Sequence, residues 1–277
     1  MKAARFDYLR ARDVSEATAA LAKSDGDAKL LAGGQSLGPM LNLRLARPGL
    51  LVDISRLDAL RGIEETRDAW LIGAAVTHSR LEDAAGRMPG GEMLCEVAAG
   101  IAYRSVRNRG TIGGSLAHAD PAGDWPLALA ALGATIVARR ADGGVRRIPA
   151  ESFMVSTFTT ELAPTEIIER VEVPRLSPPA RHGYFKFCRK AGEFPEASAA
   201  AILDRANGRA VIYVGALDGP PRPLPALAKA VADGGEGAAT REAALNAIAS
   251  AAPHLNPVDR AMHAGTVLRA IRRALAP

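Results

Sequence analysis

Two short glycine-centred segments constrain this chain most: Ala32-Gly33-Gly34-Gln35-Ser36 and Thr111-Ile112-Gly113-Gly114-Ser115. Each abuts an apolar run and precedes an expected helix start. Each offers successive backbone N–H groups with no Cβ at two positions, beside a small hydroxyl. A backbone needs these features to approach a phosphate closely. A single Gly-Gly pair is most often a plain turn. Two such pairs suggest a diphosphate held from both sides, by backbone N–H groups and by the hydroxyls of Ser36, Thr111 and Ser115. Neither segment is a GxGxxG fingerprint or a P-loop lysine motif, so a Rossmann fold is a weak reading.

At 277 residues the chain has room for two or three cores. Its 48% hydrophobic and 23% charged residues are those of an ordinary globular protein. No apolar stretch approaches the roughly 20 residues that span a bilayer. Residues 1–7 lack the apolar centre of a secretory signal, and a cytoplasmic location is expected. A net charge of +5 could suggest nucleic acid, but the lysines and arginines are scattered with few aromatic residues between them, so no nucleic-acid partner is expected. Arg104, Arg107 and Arg109 do cluster before the second glycine pair, either as a solvated loop or as a positive field beside an anionic cofactor. Cys95 and Cys188 read as small apolar residues, and two cysteines cannot supply the four ligands an iron–sulfur cluster usually takes. The five histidines show no metal-ligand spacing, and no metal site is expected.

The pattern predicts a small βαβ-type unit first. A helix over 14–23 has Asp13 as N-cap and Glu16 at the capping-box position, followed by strands over 29–32 and 49–54 with a helical turn over 40–45 between them. A larger unit follows, with a strand over 69–74, a helix capped by Thr77, a helix over 92–102, and a helix through Leu132 capped by Asp124. Strands over 134–138 and 145–148 are joined by an Asp142-Gly143-Gly144 hairpin, and a further strand covers 166–173. A proline-rich linker over 176–180 leads to an antiparallel meander over 183–189, 197–205 and 209–217, with Asn207-Gly208 as its clearest turn. The run 222–225 breaks the chain, and two Ala-rich helices close it over 241–251 and 258–275.

These stretches closely resemble the FAD-binding medium subunit of molybdenum hydroxylases. That family is typified by the carbon monoxide dehydrogenase medium subunit, and the same module occurs within xanthine dehydrogenase. The resemblance runs from Phe6 to the C-terminus and keeps both glycine motifs in order and separation. It implies an α+β fold of the vanillyl-alcohol-oxidase-like (PCMH-type) class. Residues 1–56 and 57–176 would be FAD-binding subdomains, and 177–277 a C-terminal domain with a three-stranded antiparallel sheet and helices.

The same resemblance implies FAD contacts from Ala32, Gly33, Gly34, Gln35, Ser36 and Leu37, and from Thr111, Ile112, Gly113, Gly114 and Ser115. It adds Ile101, Ile167 and Ile168 around the cofactor, Asp124 on its polar chain, and Lys186 near the isoalloxazine ring. Gln35 departs from the histidine often found at its position, and Ser115 from an asparagine. Read from the residues alone, Asp124 is equally a helix cap, Lys186 an outward strand lysine, and the three isoleucines ordinary core. His118 and Asp120 read as loop structure rather than as an acid–base pair. No catalytic residue is expected in this chain. By resemblance it carries electrons from [2Fe–2S] clusters on a small partner subunit through FAD to NAD, a quinone, a cytochrome or oxygen. Hydroxylation would occur at molybdopterin on a large subunit. The competing readings are a free-standing FAD oxidoreductase and a non-enzymatic protein that kept the fold.

Overall fold

The computed structural model describes residues 2–204 and 208–276. The chain opens on β1 (Asp7–Arg10), and Asp13 then starts the first helix. The Asp13 carboxylate accepts from the Glu16 N–H at 2.7 Å, while Glu16 accepts from the Arg12 N–H at 2.7 Å. Helix α1 (Val14–Lys23) follows, then β2 (Ala28–Leu31), α2 (Leu37–Asn42) and β3 (Leu50–Asp53). The three strands pair in parallel in the order β1-β3-β2. Strand β1 has no counterpart among the sequence expectations, because it is short, mostly exposed and without alternation. Helix α2 starts earlier than expected, since Pro39 falls within its first turn, where the missing N–H is harmless.

A 3-10 turn (Asp58–Leu60) leads to β4 (Ile63–Glu65) and β5 (Ala69–Gly73). A helical stretch follows: α3 (His78–Glu82), capped by the Thr77 hydroxyl, then α4 (Glu92–Gly100), α5 (Arg104–Arg107), α6 (Ile112–His118) and α7 (Asp124–Leu132). Strands β6 (Thr135–Arg139) and β7 (Val145–Pro149) form the expected hairpin, with Gly143 at φ +83. Helix α8 (Ala150–Phe153) and the pair β8 (Met154–Ser156) and β9 (Thr159–Thr160) precede β10 (Ile167–Pro174). The second sheet is antiparallel, in the order β4-β5-β10-β6-β7.

The third sheet contains β11 (Arg181–Phe187), β12 (Ala197–Asp204), β13 (Arg209–Gly215) and β14 (Arg222–Pro223), in that order. The short β14 is added to the three strands expected from sequence. Helices α9 (Pro225–Gly234), α10 (Arg241–Ala251) and α11 (Pro257–Leu275) cover one face. The run 222–225 thus starts a helix as well as breaking the chain, because Pro225 takes a first-turn position that suits its fixed φ. The Asn207-Gly208 turn involves Asn207, which, like Arg205, lies outside the described residues.

Every residue of β12 is buried, because helices pack on both faces of this sheet. Ala199, Ala201 and Leu203 join Ile212 and Val214 in the core under α9, α10 and α11. Ala200 and Ile202, with Tyr184 and Tyr213, face the core built around α7. The alternation of the strand explains the split. Helix α7 is buried along its whole length and, beyond Asp124 in its first turn, apolar all round, as suits a helix enclosed on every side.

Candidate cofactor site

The first glycine loop leaves the top of β2. Among the described residues, no protein group accepts from the N–H groups of Gly33, Gly34, Gln35 or Ser36. Gly34 holds φ +71, a left-handed conformation that costs glycine little. Gly33 does a different job: a Cβ there would stand 1.9 Å from the Arg109 carbonyl oxygen and 2.9 Å from the Gly110 Cα. The first loop therefore lies directly against the approach to the second. The Gln35 side-chain amide donates to the Gly33 carbonyl at 3.0 Å, and the Ser36 hydroxyl makes no cap bond.

The second loop is built differently. Its glycine pair sits in the first turn of α6, where the expectation was a turn ahead of the helix. Ile112 N–H donates to the Val76 carbonyl at 3.1 Å, and Gly113 N–H to the Ala74 carbonyl at 2.9 Å. Gly114 N–H donates to Thr111 Oγ1 at 3.0 Å, and Ser115 N–H to the Thr111 carbonyl at 3.0 Å. A Cβ on Gly113 would meet the Ala74 Cβ at 2.6 Å and its carbonyl oxygen at 2.7 Å. This glycine lets α6 abut the end of β5. Of the second loop's residues, Gly114 is exposed and Ser115 half-buried, while Thr111 is buried with no acceptor for its N–H among the described residues.

The loops reach the remaining expected residues through a buried histidine. His78 N–H donates to the Gly110 carbonyl at 2.9 Å. Its Nδ1 accepts from the Trp125 indole N–H at 3.1 Å. Burial, aided by the Arg107 charge, lowers the His78 pKa to about 4, which keeps the ring neutral.

Trp125 is next to Asp124. The structure makes Gly123 the N-cap of α7 and leaves the Asp124 side chain out of capping, which corrects the sequence reading. Its carboxylate instead accepts from the Tyr184 hydroxyl at 2.7 Å and from the Lys186 ammonium at 3.0 and 3.1 Å. Both partners come from β11, where alternation places them on one face. Lys186 is thus an inward residue with only 12% of its side chain exposed. Burial pushes the Asp124 carboxyl up, opposed by the Lys186 charge and the Tyr184 hydrogen bond, and burial likewise pushes the Tyr184 hydroxyl well up.

Ile101 caps α4 beside this pair, since the Lys186 Cε lies 3.8 Å from a Cβ built on neighbouring Gly100. Ile167 and Ile168 are not brought into the same group. They point to opposite faces of β10, Ile167 into the core under the first sheet and Ile168 into the core around α7. His118 packs its ring against Phe158, and the Asp120 carboxylate accepts from the Ala122 N–H at 2.9 Å, so each belongs to the loop. Arg104 and Arg107 pair with Glu82 and Asp83, leaving Arg109 without a carboxylate among the described residues. Tyr184 was not singled out from sequence as a site residue; its place two residues before Lys186 on an alternating strand was the available signal.

Fold and site together suit a flavin-nucleotide-binding module: an α+β chain with amides over Gly33, Gly34, Gln35 and Ser36 unengaged among the described residues, and a buried lysine–aspartate pair. The chain belongs to the family described as the FAD binding domain in molybdopterin dehydrogenase, whose model matches residues 4–176. It is 42% identical over 203 residues to the 6-hydroxypseudooxynicotine dehydrogenase complex subunit alpha of Paenarthrobacter nicotinovorans, covering 73% of this chain and 68% of the relative. It is 38% identical over 213 residues to the carbon monoxide dehydrogenase medium chain of Hydrogenophaga pseudoflava, covering 76% and 72% respectively. A solved chain of the carbon monoxide dehydrogenase from that organism superposes with a TM-score of 0.87 at 33% identity, covering 99% of this chain and 98% of the solved one. A chain of quinoline 2-oxidoreductase from Pseudomonas putida 86 gives 0.88 at 31% identity, with the same coverage of 99% and 98%. By name, these relatives are a subunit of a dehydrogenase complex and the medium chain of a carbon monoxide dehydrogenase. Among the described residues no helix is long and apolar enough to cross a membrane.

The residues present fit FAD. The first loop offers unengaged amides around a left-handed glycine, which suits phosphate oxygens. Asp124 and Lys186 add a buried carboxylate and ammonium, groups of the kind that pair with a cofactor's polar atoms.

Proposed function

We propose that this chain is the FAD-carrying electron-transfer subunit of a molybdenum-dependent hydroxylase. Electrons would come from [2Fe–2S] clusters on a small partner chain and leave to an external acceptor: NAD, a quinone, a cytochrome or oxygen. Substrate would be hydroxylated on a large molybdopterin-binding chain. The observation that carries the reading is the row of unengaged amides over Gly33, Gly34, Gln35 and Ser36, in a chain whose relatives are subunits of such enzymes.

FAD, when bound, supplies a centre that accepts and releases electrons in single or paired steps. The protein's own work is to hold it and set its surroundings. The first loop would bind the diphosphate through backbone N–H groups, assisted by Ser36 and by what the second loop presents at Thr111 and Ser115. Hydrogen bonds to a charged group contribute about 1.5–3 kcal/mol each, so a few suffice for tight binding. Asp124 would accept from a hydroxyl of the cofactor chain while Tyr184 fixes its orientation. Lys186 would hold a positive charge beside the ring and favour negative charge there. Residues 1–56 and 57–176 would then form the FAD-binding part, with 177–277 supplying the lysine. The partner surface would lie near the mouth between these regions.

The test is reconstitution. The full chain alone should be yellow and chemically reducible but unable to hydroxylate substrate. Adding the large and cluster-bearing chains should restore reduction of its flavin by substrate. A native protein that purifies alone, without molybdenum or iron, and still turns over substrate would overturn the reading in favour of a free-standing flavoenzyme.

A further inference from the structure

Three arginines crowd the approach to the second loop, and carboxylates hold two of them. Arg104 contacts Glu82 at 2.7 Å and Asp83 at 2.6 Å. Arg107 contacts Glu82 at 2.8 Å and donates to the carbonyls of Ile101 and Ala102 at 2.9 and 2.8 Å. Both serve to tie α5 to α3. Arg109 faces no carboxylate among the described residues. Among the described residues its one side-chain hydrogen bond is a long one, 3.4 Å from Nε to the Gly33 carbonyl, which the Gln35 amide already occupies at 3.0 Å.

The position of Arg109 is nonetheless closely fixed at its backbone. Its carbonyl oxygen lies where Gly33 would carry a Cβ, at 1.9 Å from that point. An exposed, uncompensated guanidinium therefore stands where the two glycine loops cross. Amides supply only partial positive charge, whereas a diphosphate carries full negative charges. A planar guanidinium fits phosphate oxygens with two donors at once.

We propose that Arg109 is the residue that supplies the full countercharge for the diphosphate of the bound dinucleotide, while Arg104 and Arg107 are structural. The inference rests on the reading that this chain binds FAD. Among the described residues the side chain is held only by the long contact to Gly33, so it can turn to the ligand without breaking an ion pair with any of them.

The test is FAD titration of the flavin-stripped full chain, followed by fluorescence quenching at low and high ionic strength. Arg109→Gln should weaken FAD binding about tenfold or more at low salt, the loss of one charge-assisted contact. The variant's affinity should also depend less on salt than the wild type's, because one screened attraction is gone. Arg109→Lys should recover most of the affinity and the salt dependence. Arg104→Gln should bind FAD like wild type. Melting temperature should be unchanged in Arg109→Gln, since the side chain is exposed.

Wild-type affinity and salt dependence in Arg109→Gln would overturn the inference. So would equal losses in Arg109→Gln and Arg104→Gln, or no recovery in Arg109→Lys. If the wild-type chain itself takes up no FAD, the FAD-carrier reading fails first. That outcome is seen in the wild-type titration alone and is distinct from a variant that matches it.

Discussion

Gly33-Gly34 and Gly113-Gly114 share a dipeptide, but their backbones do different work. In the first loop the amides of both glycines and of the two residues after them have no acceptor among the described residues. In the second, Ile112, Gly113, Gly114 and Ser115 all donate within the protein. Gly34 is needed for its left-handed φ, and Gly113 for the absence of a side chain against Ala74. The first loop is thus a backbone open to a ligand. The second is mainly a joint that sets helix α6 against β5 and presents only its rim. Two like motifs thus differ in their amides: those of the first have no acceptor among the described residues, and those of Ile112, Gly113, Gly114 and Ser115 are used within the protein.

The strongest way to break this contrast is Gly113→Val. The new Cβ would meet backbone and side chain of Ala74 within 2.7 Å, in packed interior. We expect a stability loss of about 3 kcal/mol, the upper end for overpacking, measured by chemical denaturation. A variant that folds with wild-type stability and loses only flavin would place the second loop in the same class as the first. Gly34→Val should cost somewhat less stability, about 1–3 kcal/mol of backbone strain at its positive φ, while flavin content falls sharply. Normal flavin content in a folded Gly34→Val protein would show that the first loop does not hold the diphosphate.

Gly114→Val sharpens the comparison. Its Cβ would meet only Thr111 Oγ1, at 2.8 Å, and the position is exposed. Disturbing that cap should cost about 1 kcal/mol. Flavin content should fall less than in Gly34→Val, and an equal or larger fall would erase the distinction. The smallest effect concerns Glu82, which ties Arg104 and Arg107 behind the second loop. The Arg107 hydrogen bond holds its carboxyl below the ordinary 4.5, against the opposing effect of burial. A lowered value in the folded state means stabilisation present above pH 4.5 and fading as pH falls through that lowered value. The melting temperature of wild type should therefore exceed that of Glu82→Gln at pH 7, and the gap should close in acid. A gap unchanged down to about pH 3, below the usual carboxylate range, would exclude the carboxylate as its source.

What was legible in the sequence was local. Asp13 and Thr77 cap the helices expected of them because the bonds span only a turn. The Asp142-Gly143-Gly144 hairpin needed no distant partner. Asp124 looked like another cap for the same reason, yet its carboxylate bonds to Tyr184, 60 residues away. Lys186 lay on the side of β11 shared with Tyr184, as alternation indicated, but its inward turn depends on α7, which no pattern in the strand reports. The amides of the second loop are taken by the carbonyls of Ala74 and Val76, residues with no sequence mark of that role. The arginines before it could be read either as field or as surface until Glu82 and Asp83 were seen beside two of them.

The clamp on Asp124 has a consequence for how this protein can be divided. The family model that matches this chain stops at residue 176, while the partners of Asp124 sit at Tyr184 and Lys186. A chain cut there would leave α7 with one flank in water and its carboxylate without a cation. Chimaeras that exchange C-terminal regions between relatives must therefore carry the aspartate, tyrosine and lysine together. The stretch matched by that family model is smaller than the piece that can be moved intact.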